Sequence, residues 1–320
     1  MSANIGLRYH KTIGLLAQSG RGFSLPVDVA FGSGGLLYVL NRGNSVQRNV
    51  HVTICTVDDD YRTDFGAYGS GDGQFIWPTA IAVDRAGDVY ISSESEHRIQ
   101  RFSATGQFLG KWGMPGDGDG ELNGPSGMAF DGEDNLYVVD QHNNRVQKFT
   151  KDGKFLLKWG EKGAGEGQFD LPWGIGLDAD GNVYVADWHN DRIQKFDGAG
   201  QFLAAYGGSG SGDGEFHRPS SVAIDHDGYI YVADWGNNRV QILGPDGRFR
   251  VKLVGDAGLS KWAEEYLPSN PDYMEQRAAA RNRDVERVFW GPTSIKIGPD
   301  GLLYIVDSCR HRLQIYRRVY

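Results

Sequence analysis

Cysteine is nearly missing from this chain. The two present in 320 residues, Cys55 and Cys309, cannot build a disulfide framework and have no metal-type spacing. Cations are in deficit. Only 33 Lys and Arg face 41 Asp and Glu, a formal charge of −8, which disfavours nucleic acid as a general partner because phosphate binding needs a basic surface. No apolar run is long enough to cross a bilayer, so no membrane partner is expected. The opening text Met1-Ser-Ala-Asn-Ile-Gly-Leu-Arg8 lacks the apolar stretch of a secretory signal. These absences lead to the expectation of a soluble, cytoplasmic protein with no attached accessory domain. Helical periodicity is scarce too. What fills the chain is short runs rich in Val, Ile, Tyr and Phe between turns that draw on 46 glycines.

Those runs repeat every 47 residues. Tyr137-Val-Val-Asp140-Gln-His-Asn-Asn-Arg145-Val-Gln147 returns as Tyr184-Val-Ala-Asp187-Trp-His-Asn-Asp-Arg192-Ile-Gln194 and again as Tyr231-Val-Ala-Asp234-Trp-Gly-Asn-Asn-Arg239-Val-Gln241. Looser copies occupy residues 90–100 and 304–314, and a degraded one begins at Tyr38. A fixed period of this length signals a repeat architecture. Each unit holds four strand-like pieces joined by Asp-Gly and Asn-type turns. Six units of four strands predict an all-β fold, a six-bladed β-propeller of four-stranded antiparallel blades forming one domain over residues 1–320. The last unit lacks a fourth strand, while the chain starts with one, so residues near 8–17 are expected to complete the sixth blade.

The recurring Tyr-Val-Ala-Asp-x-x-Asn-x-Arg-Ile-Gln text resembles the NHL repeat, and the resemblance covers nearly the whole chain. It implies the propeller fold. Its functional implications are broad: NHL-type propellers serve as protein- and RNA-binding ends of tripartite-motif proteins, as sensor domains and as the peptide amidating lyase, and six-bladed cousins include gluconolactonases and strictosidine synthases. The lyase carries a metal histidine after the blade-linking proline. Here that position reads Val27, Thr79, Ser126, Trp173, Ser220 and Thr293. No metal or cofactor is expected.

Residues that obey the repeat explain the fold, and residues that break it are the candidates for function. The recurrent Asp and Arg of each long loop (Asp140/Arg145, Asp187/Arg192, Asp234/Arg239) are therefore read as turn-holding pairs. On the innermost strands the second and fourth positions after the linking proline are small, except Asp28 and Lys296, which fall in neighbouring blades across the closure. They are expected to pair with each other or to form a polar channel wall. Strand order puts the linking loops and the long loops on one face, which gathers Trp77, Trp173, Trp188, Trp235 and Trp290. Trp173 replaces a small residue at the channel mouth, as a plug or a ligand platform. His142 and His189 share one loop position in adjacent blades and are the candidate acid/base pair.

The largest departure is an insertion of about 26 residues between blades five and six, visible because Gln241 and Gln314 are 73 apart. Residues 256–290 read as two helices, the second starting at Asn270-Pro271. Arg277 and Arg281 are like charges one turn apart, as are Arg283 and Arg287, so an acidic rim or an anionic ligand is expected to compensate them. The insertion is expected to cap the channel face. The functional expectation is a propeller that binds a small ligand, an anion included, or a partner protein at that face, through Asp28, Trp173, Trp188, Trp235, Arg277, Arg281 and Lys296. The rival is a small-molecule hydrolase or lyase that uses His142 or His189 at the same mouth.

Overall fold

Each copy of the repeat forms one four-stranded antiparallel sheet, since its β-branched and aromatic runs are separated by turns that reverse the chain. The computed structural model describes residues 5–43, 48–279, 282 and 284–319. Blade three is typical, with strands Pro125–Phe130, Asn135–Asp140, Arg145–Thr150 and Phe155–Trp159 from the axis outwards. The innermost strands of all six blades touch in sequence order, and the sixth, Pro292–Ile297, touches the first, Pro26–Phe31. That contact closes the ring. The last blade takes its outer strand from the N-terminus as predicted: Gly6–Ile13 pairs with Arg312–Val319, from Gly6 opposite Val319 to Ile13 opposite Leu313. The strand ends earlier than the sequence suggested, because Gly14 turns away at φ +106° with its Cα against the Phe23 ring, where a Cβ would clash at 2.4 Å.

Alternation along the inner strands builds the core. The large residues Val29, Ile81, Met128, Ile175, Val222 and Ile295 each pack on the preceding blade. The small face meets the following blade, where the sheets converge. A Cβ on Gly174 would lie 2.4 Å from the Ser220 carbonyl oxygen, and one on Gly127 would lie 2.6 Å from that of Trp173. The small residues are therefore required by backbone approach near the axis.

The loop Asp and Arg residues hold the linking loops. Asp140 is fully buried. One of its oxygens accepts from the Asn123 amide at 2.6 Å, and the other accepts from Arg145 Nε at 2.7 Å, Asn143 at 2.9 Å and Gln147 at 3.0 Å. Arg145 then donates to the carbonyls of Asp117, Gly118 and Glu121. The same arrangement recurs at Asp187/Arg192 and Asp234/Arg239. Burial pushes the Asp187 and Asp307 carboxyls up, and the donated hydrogen bonds and arginines oppose that shift.

A second tie joins each blade to the next. The residue before the loop Arg has positive φ, a conformation that Asn, Asp and His tolerate best. Its side chain accepts the backbone N–H of the residue before the next linking proline: Asn144 from Leu171, Asp191 from Arg218, Asn238 from Gly291, His97 from Gly124 and His311 from Leu25. In blade one the register sets His51 opposite Asn41, so Val50 holds the equivalent position, and its side chain has no acceptor to offer.

The insertion forms α1 (Lys261–Tyr266), α2 (Pro271–Ala279) and the single turn α3 (Asp284–Arg287). Ser260 caps α1 as an acceptor for the Ala263 amide. The helix sits at the closing seam. Ser260 Oγ donates to the Gly14 carbonyl at 2.6 Å, and Lys261 N donates to Asp59 in the outer hairpin of blade one at 3.1 Å. Trp262 is 2 % exposed, packs in the core between blades six and one and meets the Phe23 ring edge-on, while its indole N–H donates to the Asp59 carbonyl.

Candidate ligand site at the channel mouth

Two rings of repeat-equivalent positions surround the axis on the face that carries the linking loops. The first follows the linking proline. There Thr79, Ser126 and Ser220 donate hydroxyl hydrogen bonds to the next blade's linking loop, at Pro125 O (2.8 Å), Trp173 O (2.9 Å) and Pro292 O (3.0 Å). Trp173 takes this position in blade four and supplies bulk where three other blades supply a hydroxyl tie. The second ring follows the loop Asp and reads Arg42, Glu94, Gln141, Trp188, Trp235 and Ser308. It is polar through blades one to three and aromatic in blades four and five.

These residues enclose a cavity of ≈ 190 Å³ lined by Val27, Arg42, Trp173, Trp188, Ser220, Trp235 and Thr293. Trp173 and Trp188 have ring centroids 6.1 Å apart, and Trp188 and Trp235 6.3 Å apart. Aromatic pairs at these separations attract one another, so the three indoles form one continuous wall. Beneath it the channel narrows to ≈ 20 Å³, room for about one water. Asp28 sits in that narrows and ties three blades. Its carboxylate accepts from Ser294 Oγ in blade six at 2.6 Å, from the Val29 amide at 2.9 Å and from the Ile81 amide in blade two at 3.0 Å, with Lys296 Nζ at 3.7 Å.

Arg42 forms the polar side of the mouth. It donates to Glu94 at 3.1 Å and lies over the Trp77 ring at 4.3 Å. Desolvation lowers its pKa, against the pull of Glu94. Arg42 was missed from sequence because the blade-one loop is the degraded copy, with Asn41 in place of the loop Asp. Aligning the position after that Asp across all six blades is the signal that finds it.

The remaining candidates are not brought into this cavity. His142 lies on the rim, 41 % exposed, with Nε2 3.6 Å from Glu94, and its ring covers Gly124. His189 stacks on Trp188 at 4.6 Å and sits 3.7 Å from Asp170. Neither lines the cavity. Arg277 donates to Glu286 within the insertion and lines two depressions, one with Tyr9 and Asp256 and one with Leu15 and Tyr266, that share no residue with the mouth. Arg287 pairs with Asp256. Arg281 and Arg283 lie outside the described residues. Among the described residues no group of three His, Cys, Asp or Glu is placed to hold a metal ion, and no helix is long and apolar enough to cross a membrane.

The profile of the NHL repeat matches residues 122–149, 169–196, 216–243 and 289–316, which are blades three to six. The chain is an NHL-repeat propeller. Its repeats are 40% identical over 48 residues to the B-box type zinc finger protein ncl-1 and 43% identical over 47 residues to protein lin-41, both of Caenorhabditis elegans. They are 36% identical over 53 residues to protein brain tumor of Drosophila melanogaster. Each match covers 15–17% of this chain and 4–6% of the relative. As a fold, the propeller is similar to a streptogramin B lyase, with a TM-score of 0.60 and 13% identity over 99% of this chain and 98% of that one. It is also similar to a protein from Bacteroides thetaiotaomicron, with a TM-score of 0.66 and 18% identity over 98% and 76%. At these identities the likeness is one of fold.

Proposed function

We propose that this NHL propeller is a binding module that holds a small ligand, or a side chain of a partner protein, in the mouth walled by Trp173, Trp188 and Trp235. One observation carries the reading: three indoles from two rings of the repeat converge on one cavity, at positions that are small or polar in the other blades. A concave, mainly apolar pocket with a few polar groups at its edge is the usual form of a ligand site. The hydrolase or lyase reading has less support. The histidines it needs are on the rim, and among the described residues no nucleophile, base and orienting group converge on the cavity.

The test is a fragment and peptide screen read by intrinsic tryptophan fluorescence and by melting temperature, repeated on Trp173→Ser, Trp188→Gln and Arg277→Ala. The first two install residues that the repeat itself uses at Ser126 and Gln141. Hits should disappear with either tryptophan substitution and survive Arg277→Ala. Hits that survive both and vanish with Arg277→Ala would move the site to the insertion.

A further inference from the structure

The chemistry of the mouth narrows the ligand. In a chain of net charge −8, no carboxylate among the described residues lines this cavity, and the one charged lining residue among them is Arg42. The guanidinium is half used: Nη2 donates to Glu94, and Nη1 has no acceptor among the described residues. The indole N–H groups of Trp173, Trp188 and Trp235 likewise have no acceptor among the described residues. The wall therefore offers donors and lacks charged acceptors.

Clustered tryptophans also suit a cation, which their π faces attract. Here the Arg218 guanidinium already lies 4.7 Å from the Trp188 ring centroid, and His189 stacks on the same indole. A ligand cation would meet Arg42 and Arg218 as like charges. An anion meets neither repulsion, and a flat ring gains contact with the indoles.

Resting on the binding reading above, we infer that the mouth takes a planar aromatic carboxylate, with its ring against the indole wall and its carboxylate toward Arg42. Arginine donates to carboxylates in a planar, charge-assisted geometry that a neutral amide does not match.

The probes are phenylacetate, phenylacetamide and phenethylamine, which share a ring and differ in charge, titrated calorimetrically into the whole chain at low salt. Phenylacetate should bind about tenfold or more tighter than the amide, the scale of a charge-assisted hydrogen bond, and the amine should bind weakest. Arg42→Gln should erase the preference for acid over amide, and Trp173→Ser should weaken both. Both variants are checked for a parental melting profile, and both carry residues found at equivalent positions in blade three. Equal affinity for the three probes, a preference for the amine, or an acid preference that survives Arg42→Gln overturns the carboxylate assignment. If binding still depends on Trp173 in those cases, the mouth remains the site. Binding of none of the three also overturns the assignment, and the mouth itself fails only if the fluorescence screen is silent as well.

Discussion

The seam between blades three and four and the seam that closes the ring do the same job with different chemistry. At the first, Asn144 accepts the Leu171 amide, and Trp159 at the end of the outer strand covers the hairpin glycine of the next blade, Gly200. At the closing seam the acceptor is His311, the outer strand ends in Ile13, and the indole comes from the insertion as Trp262. The consensus seam is built from neutral groups that do not titrate near neutral pH. The closing seam depends on a histidine that must stay unprotonated at Nδ1 and on a buried carboxyl, Asp59, with one oxygen that has no partner among the described residues. At the seam between blades three and four the tie is local and its two side chains, Asn144 and Trp159, carry no titrating group. Where the chain joins its own ends, stability is borrowed from the insertion and responds to pH.

Removing the borrowed indole should have the largest effect. Trp262→Ala should cost about 3–5 kcal/mol, the usual range for deleting a fully buried aromatic, against roughly half of that for Trp159→Ala at the more exposed consensus seam. Urea denaturation of the two variants side by side makes the comparison. Equal losses would mean that the insertion is dispensable to closure.

The next effect is electrostatic. Burial pushes the Asp59 carboxyl up to about 6, against the Lys261 amide and the nearby lysines, which favour its charge. An acid with a raised folded pKa holds its proton more tightly when folded, so it withdraws stability as pH rises through 6 and restores it as pH falls toward the ordinary carboxyl range. Asp59→Asn keeps an acceptor for Lys261 N and removes the charge. It should melt above the parent at pH 8, with a margin that shrinks to about a third at pH 4.5, as read by scanning calorimetry. A matching gain at both pH values would rule out titration as the cause.

The smallest effect has the opposite sign. Burial holds His311 below its ordinary pKa. Its contribution is present above the unfolded value and lost as pH falls through the folded one, since the imidazolium cannot accept from Leu25 N. His311→Asn imports the consensus acceptor. The parent should lose about 1 kcal/mol, one hydrogen bond's net worth, between pH 7 and 5, and the variant should lose less over the same interval. Parallel pH profiles would assign the acid sensitivity elsewhere.

The period alone made the fold legible, because a repeated pattern of strand and turn text admits few closed arrangements. Recurrence also identified the loop Asp and Arg residues as framework. The wall of the mouth was partly visible: Trp173, Trp188 and Trp235 break the repeat at positions whose ring geometry is fixed by the blades. Arg42 was hidden by the decay of its own loop. The insertion was expected to cap the channel face, read from where the link starts, and the contact of its α1 with the closing seam was not legible, because a link this long can leave that face. Its course follows Trp262, which fills apolar space at a seam whose outer strand ends in Ile13. An acidic rim or an anionic ligand was expected to compensate Arg277 and Arg281, and Arg277 finds Glu286 nine residues away inside the same segment.

The pairing of Gly6–Ile13 with Arg312–Val319 has a consequence for synthesis. The strand Gly6–Ile13 is made roughly 300 residues before its partner. At about 5–20 residues per second that is an interval of tens of seconds, during which the first strand has no sheet to join. Contacts of such sequence separation form slowly, because the whole intervening chain must be ordered or looped before they yield any return. Blades one to five can each fold as they emerge, while the strand that blade six needs waits with its edge unpaired. Anything that shields that edge on the nascent chain should raise the yield of folded protein without touching its final stability.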